Sequence, residues 1–281
     1  MMIESNKGAK QFAQTCLLIA LTALFIFPIL LVFMNSFKSR LYVSTDPFAL
    51  PTGKMFVGLE NYIRGITSSG FFIAFIRSVW ITVVGVMVIV VCTSMTAWFI
   101  VRVKSKFTKA LYYAFTFSMI VPFQMVMYTM TFVVNRIYFD NVFGILLVYL
   151  GFGAGLTVFM FTGFIKSIPL EVEEAATIDG CNPLQTYFLV VFPMLKPTAI
   201  TVAILQAMWI WNDYLLPYLV LGSDHKTVPV AIQLAMQGAY GSTDYGGFMA
   251  MLVVAIVPII AFYISSQKYI IKGVIAGAVK G

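Results

Sequence analysis

The side chains able to do chemistry are few and concentrated. Glu171, Glu173, Glu174 and Asp179 are four of the chain's eleven acidic residues, and all lie in Ile168-Pro169-Leu170-Glu171-Val172-Glu173-Glu174-Ala175-Ala176-Thr177-Ile178-Asp179-Gly180. In a chain this apolar, a stretch so charged cannot lie in hydrocarbon, where a central acidic side chain costs roughly 2.5–3.5 kcal/mol on insertion scales. It must project into water between two membrane spans. The local pattern is helical: Ser167 is a candidate N-cap, Pro169 suits a first turn, and the acids sit where the helix dipole favours them. Gly180 supplies a left-handed stop and Pro183 prevents continuation. What results is a short rigid surface helix, with two adjacent alanines small enough for close approach by another body.

The other candidates are weaker. Asp213, in Met208-Trp209-Ile210-Trp211-Asn212-Asp213-Tyr214, is the one acid expected inside a span. An unpaired carboxylate there is expensive unless it meets water or a partner. Two readings stay open: Trp211, Asn212 and Asp213 line a wet pathway with aromatic rings able to contact a solute, or Asp213 pairs with a base or caps a neighbouring helix. Gln124, following Pro122, is a further pathway candidate, although such residues more often bond between helices. The sequence contains no Gly-x-x-x-x-Gly-Lys-Ser/Thr phosphate cradle, so the chain cannot be its own ATPase. It also lacks His-Glu-x-x-His and Cys-x-x-Cys arrangements and any Ser-His-Asp signature, which leaves an enzyme reading without support, and no cofactor or metal site is indicated. The three cysteines are widely spaced, and His225 stands alone.

The elements that carry these residues follow from composition. The chain is 60% hydrophobic and 10% charged, with a mean hydropathy of +0.93. A soluble domain carries about 25% charge, so this is an all-α polytopic membrane protein. Spans are expected near 16–36, 79–101, 111–134, 142–165, 197–221 and 248–266, each near the roughly 20 residues that cross a hydrocarbon core. Before the second, Phe71 to Val101 is too long for one straight span and Arg77 interrupts it, giving a short interfacial helix and then the span. Trp80 and Trp98 sit about 27 Å apart by helical rise, as interface anchors would. Gly151, Gly153 and Gly155 in the fourth span permit close helix packing. Residues 1–15 and 271–281 form tails around a single six-helix transmembrane domain, 16–270.

Charge bias orients the spans. Arg102, Lys104, Lys106 and Lys109 form the densest basic cluster, in a short loop. With both termini inside, they join Lys7, Lys10, Lys166, Lys196, Lys268, Lys272 and Lys280 on the inner side, against Lys38, Arg40, Lys54, Arg64, Arg136 and Lys226 outside. The positive-inside rule then puts the acidic helix, 168–180, in the cytoplasm.

These residues carry a family resemblance. Glu174-Ala175-Ala176, three residues, Gly180, nine residues, Val190, one residue and Phe192-Pro193 resembles the EAA loop of ABC-importer permeases, with Val and Phe where that pattern usually has Ile and Leu. Ile168-Pro169-Leu170-Glu171, Lys196-Pro197, Phe27-Pro28-Ile29-Leu30 through Lys38, Asn61-Tyr62 and the tail from Ile271 are similar to the carbohydrate (maltose-type) branch. The resemblance implies a type I ABC importer permease fold: six transmembrane helices with a cytoplasmic EAA coupling helix, in the plasma or inner membrane. Coupling to the ATPase would fall on Glu173, Glu174, Ala175, Ala176, Asp179 and Gly180. It further implies a second homologous permease subunit, two ATP-binding subunits, an extracellular solute-binding protein and a carbohydrate substrate. The rivals are a permease of the same machine for polyamine, amino acid or phosphate, an ion-coupled secondary transporter with inverted repeats and broken helices, and a membrane scaffold that transports nothing.

Overall fold

A computed structural model describes residues 2–236 and 243–278. The end of the polar loop, 237–242, and the last tail residues, 279–281, lie outside the described residues. The elements are helical throughout: α1 (Met2–Asn35), α2 (Arg40–Thr45), a 3₁₀ turn (Gly53–Met55), α3 (Glu60–Ser69), α4 (Phe71–Arg102), α5 (Lys106–Ser118), α6 (Phe123–Arg136), α7 (Gly144–Ile165), α8 (Glu171–Ile178), α9 (Pro183–Gln185), a π-helical stretch (Thr186–Val191), α10 (Phe192–Met194), α11 (Lys196–Asn212), α12 (Leu215–Leu221), α13 (Val228–Ala235) and α14 (Tyr245–Ala278). Lys10–Asn35 of α1, α4, α7 and Tyr245–Lys268 of α14 are each long and apolar enough to cross a membrane. Spans rise from four to six if two bent pairs each count as one.

Those bends differ from the uninterrupted helices expected at 111–134 and 197–221. The first span is split into α5 and α6, which meet at 108°. Pro122, lacking an N–H, stands in extended backbone just before α6. The second is interrupted at Asp213, also extended, where α11 ends and α12 follows. A further 78° bend separates Pro183–Met194 from α11. Within Pro183–Met194 the backbone widens to a π turn, and the Phe192 N–H donates to the Tyr187 carbonyl. Pro193 next to it can neither donate to a carbonyl nor fit a tight turn, which is the kind of conflict a wider turn relieves. By contrast α4 runs unbroken through Arg77, because that guanidinium finds the Lys226 carbonyl at 2.9 Å.

The chain forms two compact units. The first comprises residues 1–71 and 231–258. Its centre is polar: the Asn61 amide donates to the carbonyls of Ser36 and Lys38, both at 2.8 Å, while Arg64 pairs with Asp244 at 2.8 Å and also donates to Asn61 Oδ1. Lys38, counted above among loop charges, is fully buried, and its ammonium donates to the carbonyls of Asp46 and Pro47. The Lys10–Asn35 segment of α1 buries none of its most apolar window within the chain.

The second unit comprises residues 72–230 and 259–281, organised around α7, the most buried of the long helices. Ile145, Tyr149, Val158, Phe161 and Ile165 of α7 are fully or almost fully buried, packed with Ile81, Ile89 and Ala97 of α4 and with Val202 and Ile210 of α11. The three α7 glycines divide. A Cβ on Gly153 would come within 3.0 Å of Gln206 Oε1 and 3.1 Å of Ile89, and one on Gly155 within 2.8 Å of the Phe115 carbonyl, whereas Gly151 meets nothing within 4 Å. Two of the three therefore serve close approach, and Gly151 does not. Gly155→Leu is expected to destabilise the protein by about 1–3 kcal/mol through overpacking of α5 on α7. Gly151→Leu should leave thermal unfolding of the purified protein near wild type.

The acidic helix and the break at Asp213 as candidate functional sites

The acidic stretch folds into a helix shorter than its sequence span. The helix proper is α8, Glu171–Ile178, and Ser167 is not its cap: the Ser167 hydroxyl donates backward to the Phe164 carbonyl at 2.7 Å. Three acids nevertheless stand in the first turn, where four backbone N–H groups lack intrahelical acceptors. The exit is sharply defined. Gly180 takes φ +87°, its N–H donates to Thr177, and the Cys181 N–H reaches back to Ala176, a Schellman closure. Asn182 then caps α9 reciprocally with Gln185, both bonds at 2.9 Å, with Pro183 in the first turn.

Helical spacing sorts the coupling candidates onto two faces. Glu173 and Ala176, three residues apart, are buried against the rest of the chain, while Glu174, Ala175, Asp179 and Gly180 are exposed. The two alanines thus do not form one open surface. Glu173 is only 6% exposed, and its carboxylate is fully engaged. One oxygen accepts from both Nε and Nη2 of Arg102, at 2.9 and 2.7 Å, and the other accepts from the indole N–H of Trp98 at 2.9 Å. Arg102 Nη2 also donates to the Ile168 carbonyl at 3.0 Å. Trp98, read from spacing as an interface anchor, therefore carries a specific polar contact. The last turns of α4 thus hold the base of α8 through three hydrogen bonds to Glu173 and its approach through a fourth, to Ile168.

The second constellation lies at the α11–α12 break. Asp213 Oδ1 accepts from the Leu216 N–H in the first turn of α12 at 3.3 Å, and Oδ2 accepts from the buried Tyr149 hydroxyl at 3.2 Å. Trp211 meets Phe75 edge-on at 5.8 Å, and exposed Asn212 donates to the Met208 carbonyl one turn back. Gln124 lies exposed in the first turn of α6 and makes no hydrogen bond among the described residues. Trp211, Asn212 and Asp213 are consecutive, so the structure keeps them together, but it does not join Gln124 to them. Gln206 escaped the sequence reading. It is 4% exposed, its Oε1 has no hydrogen-bond partner among the described residues, and it faces Gly153 across the α11–α7 contact.

Residues 89–276 match the model of the family described as "Binding-protein-dependent transport system inner membrane component". The chain belongs to that family. The match begins within α4 and includes α8 and both breaks. This inner membrane component is 38% identical over 272 residues to the probable starch degradation products transport system permease protein AmyC of Thermoanaerobacterium thermosulfurigenes, covering 96% of this chain and 97% of that one. It is 35% identical to the multiple sugar-binding transport system permease protein MsmG of Streptococcus mutans, over 92% of each. Its fold matches that in the crystal structure of a bacterial ABC transporter involved in import of the acidic polysaccharide alginate, with a TM-score of 0.74, 22% identity and coverage of 92% and 95%. The type I importer permease fold is therefore the fold of this chain, and the two bent pairs are part of it rather than a mark of a secondary transporter.

Sequence missed the Arg102–Glu173 pair because its partners lie 71 positions apart and each has an adequate local explanation. Arg102 reads as a topology charge and Glu173 as a dipole-favoured acid. With side chains only 18% and 8% exposed, however, the pair is largely desolvated. Removing one partner of such a pair costs about 3–5 kcal/mol because it strands the other charge, whereas removing both costs much less. Arg102→Met and Glu173→Leu should therefore each lower the unfolding temperature of the purified family member more than the double variant does. Additive effects in that cycle would mean that the two groups do not act as a pair.

Proposed function

We propose that the chain is the permease subunit of an ATP-driven importer that moves a sugar or oligosaccharide into the cell by alternating access. In this reading the spans are six and both termini are cytoplasmic. A second homologous permease completes the channel, two ATP-binding subunits dock on α8, and a solute-binding protein delivers the substrate from outside. The sugar assignment is supported by the relatives' names for starch products and multiple sugars.

The observation that carries the coupling role is the division of labour on α8. One face is bound to α4 through Arg102 and Trp98, and the opposite face carries no contact of that kind among the described residues. The outward side presents Glu174, Ala175 and Asp179 together with Ile178, which is 85% exposed, and Leu170 and Leu184 stand exposed beside it. Exposed apolar side chains rimmed by charge suit a partner protein better than water. An ATPase cleft that closes on nucleotide would seize this face. Because Glu173 is fixed to α4, displacement of α8 would reach a long spanning helix directly and the π-containing segment after it. Asp213, stationed where α11 breaks, would hold the outer part of the pathway in shape, with Trp211 and Asn212 beside it and Gln124 contributing from α6.

Gly180→Pro, which forbids the positive φ at the helix exit, and Ala175→Trp should abolish uptake of labelled starch-derived oligosaccharide while leaving membrane insertion intact. A cysteine at Ala175 should cross-link to the ATP-binding subunit, and one at buried Ala176 should not. Wild-type uptake by both variants would refute the lever. Efficient capture from Ala176 alone would mean that the other face of α8 is the docking face.

A further inference from the structure

Between the last turn of α4, the first turns of α5 and the end of α7 lies a cavity of about 660 Å³. Arg102, Lys104, Lys106, Lys109 and Lys166 all line it, and no acidic side chain does. Arg102 is committed to Glu173, but none of the four lysines forms an ion pair among the described residues. Lys166 stands over the ring of Tyr112, 5.7 Å from its centroid, which fixes one ammonium at the wall. The segment that carries three of the lysines, the turn at Lys104 and the first turns of α5, is also held in place. Ser105 and Thr108 form a reciprocal capping box at the start of α5, and the Thr108 hydroxyl is tied to the Val103 carbonyl as well. Like charges gathered around one hollow without a counter-charge repel one another, and an anion seated among them relieves that repulsion.

We propose that this cavity takes the phosphate headgroup of an anionic phospholipid. Three features favour a lipid over a free anion. The cavity lies at the ends of two membrane-spanning helices, α4 and α7, which is the depth of a headgroup. Its wall is partly apolar, through Ile100, Val101 and the ring of Tyr112. The helix leading away from it, α5, carries exposed Phe107, Tyr113 and Phe117, against which acyl chains can lie. The phosphodiester would sit among the lysines with the first-turn N–H groups of α5 nearby. Neither the sugar assignment nor the coupling role is needed for this site, which depends only on the chain's being in a bilayer.

The test uses the assembled transporter, purified in detergent and titrated with phosphatidylglycerol or phosphatidylcholine while bound lipid is counted by native mass spectrometry. Wild type should retain phosphatidylglycerol in preference to phosphatidylcholine. Substituting Lys104, Lys106, Lys109 and Lys166 together by Gln should weaken that retention by about tenfold or more. The same four positions changed to Arg should bind like wild type, and the pairs Lys104→Gln/Lys106→Gln and Lys109→Gln/Lys166→Gln should each show a partial loss if the fourfold variant does not assemble. Equal retention of the two lipids, or undiminished retention by the Gln variants, would overturn the proposal. Displacement of phosphatidylglycerol by millimolar inorganic phosphate would overturn it too, by marking a free-anion site. Because the assay has no sidedness and no transport step, a negative result leaves the importer reading standing, and a failure of uptake coupling leaves this result unaffected.

Discussion

A carboxylate cannot be buried at a membrane boundary without a counter-charge, and Glu173 is buried there. The arrangement around α8 follows from satisfying it. Arg102 supplies the charge with two N–H donors, Trp98 supplies a third, and the spare Arg102 donor capacity reaches the Ile168 carbonyl in the approach to α8. Pairs of this kind add little net stability compared with apolar packing, since desolvation offsets most of the attraction. What they add is geometry: three hydrogen bonds to one carboxylate leave it a single position. The base of α8 is therefore fixed to the end of α4 in angle as well as in distance, which an apolar contact between Ala176 and a neighbour would not achieve.

The helix breaks obey the same requirement in its backbone form. Wherever a helix stops inside a bilayer protein, its terminal N–H and C=O groups need partners from the protein itself. At the α11–α12 break the Asp213 carboxylate accepts from Leu216, while the Tyr149 hydroxyl on α7 donates to its other oxygen. At the α9–α10 segment the π turn re-pairs the backbone ahead of Pro193, and the Tyr187 hydroxyl shares a hydrogen bond with Ser94 of α4 at 2.6 Å. Both breaks are consequently keyed to the long helices by a tyrosine. Irregular backbone and helix scaffold are joined by specific polar contacts rather than by packing alone.

Much of this was legible from residue order. The membrane class, the four long helices, the Gly180 stop and the failure of the helix to continue at Pro183 follow from composition and from turn chemistry, which act over a few residues. The misjudged features depended on contacts distant in sequence. Arg77 does not break α4 because a carbonyl 149 positions away receives it. The stretch 111–134 does break: α5 stops at Ser118, and α6 starts after Pro122 at an angle that no local rule specifies. Gly151 differs from Gly153 only in the direction it faces around α7. Glu173 and Glu174 are adjacent acids with opposite fates, and nothing in the order Val-Glu-Glu-Ala announces which one turns inward.

That difference between neighbours bears on how force could travel. If both acids pointed to solvent, a partner gripping α8 would rotate it about its own axis before moving anything else, since Gly180 and Pro169 both terminate the helix in turns. With Glu173 bound to α4, rotation would break three hydrogen bonds and strand a charge, so translation of α8 with α4 is the lower-energy response. Under the proposed coupling role the exposed face would need only to be gripped, which its small Ala175 and flanking Glu174 and Ile178 permit, and the inward face would determine where the motion goes.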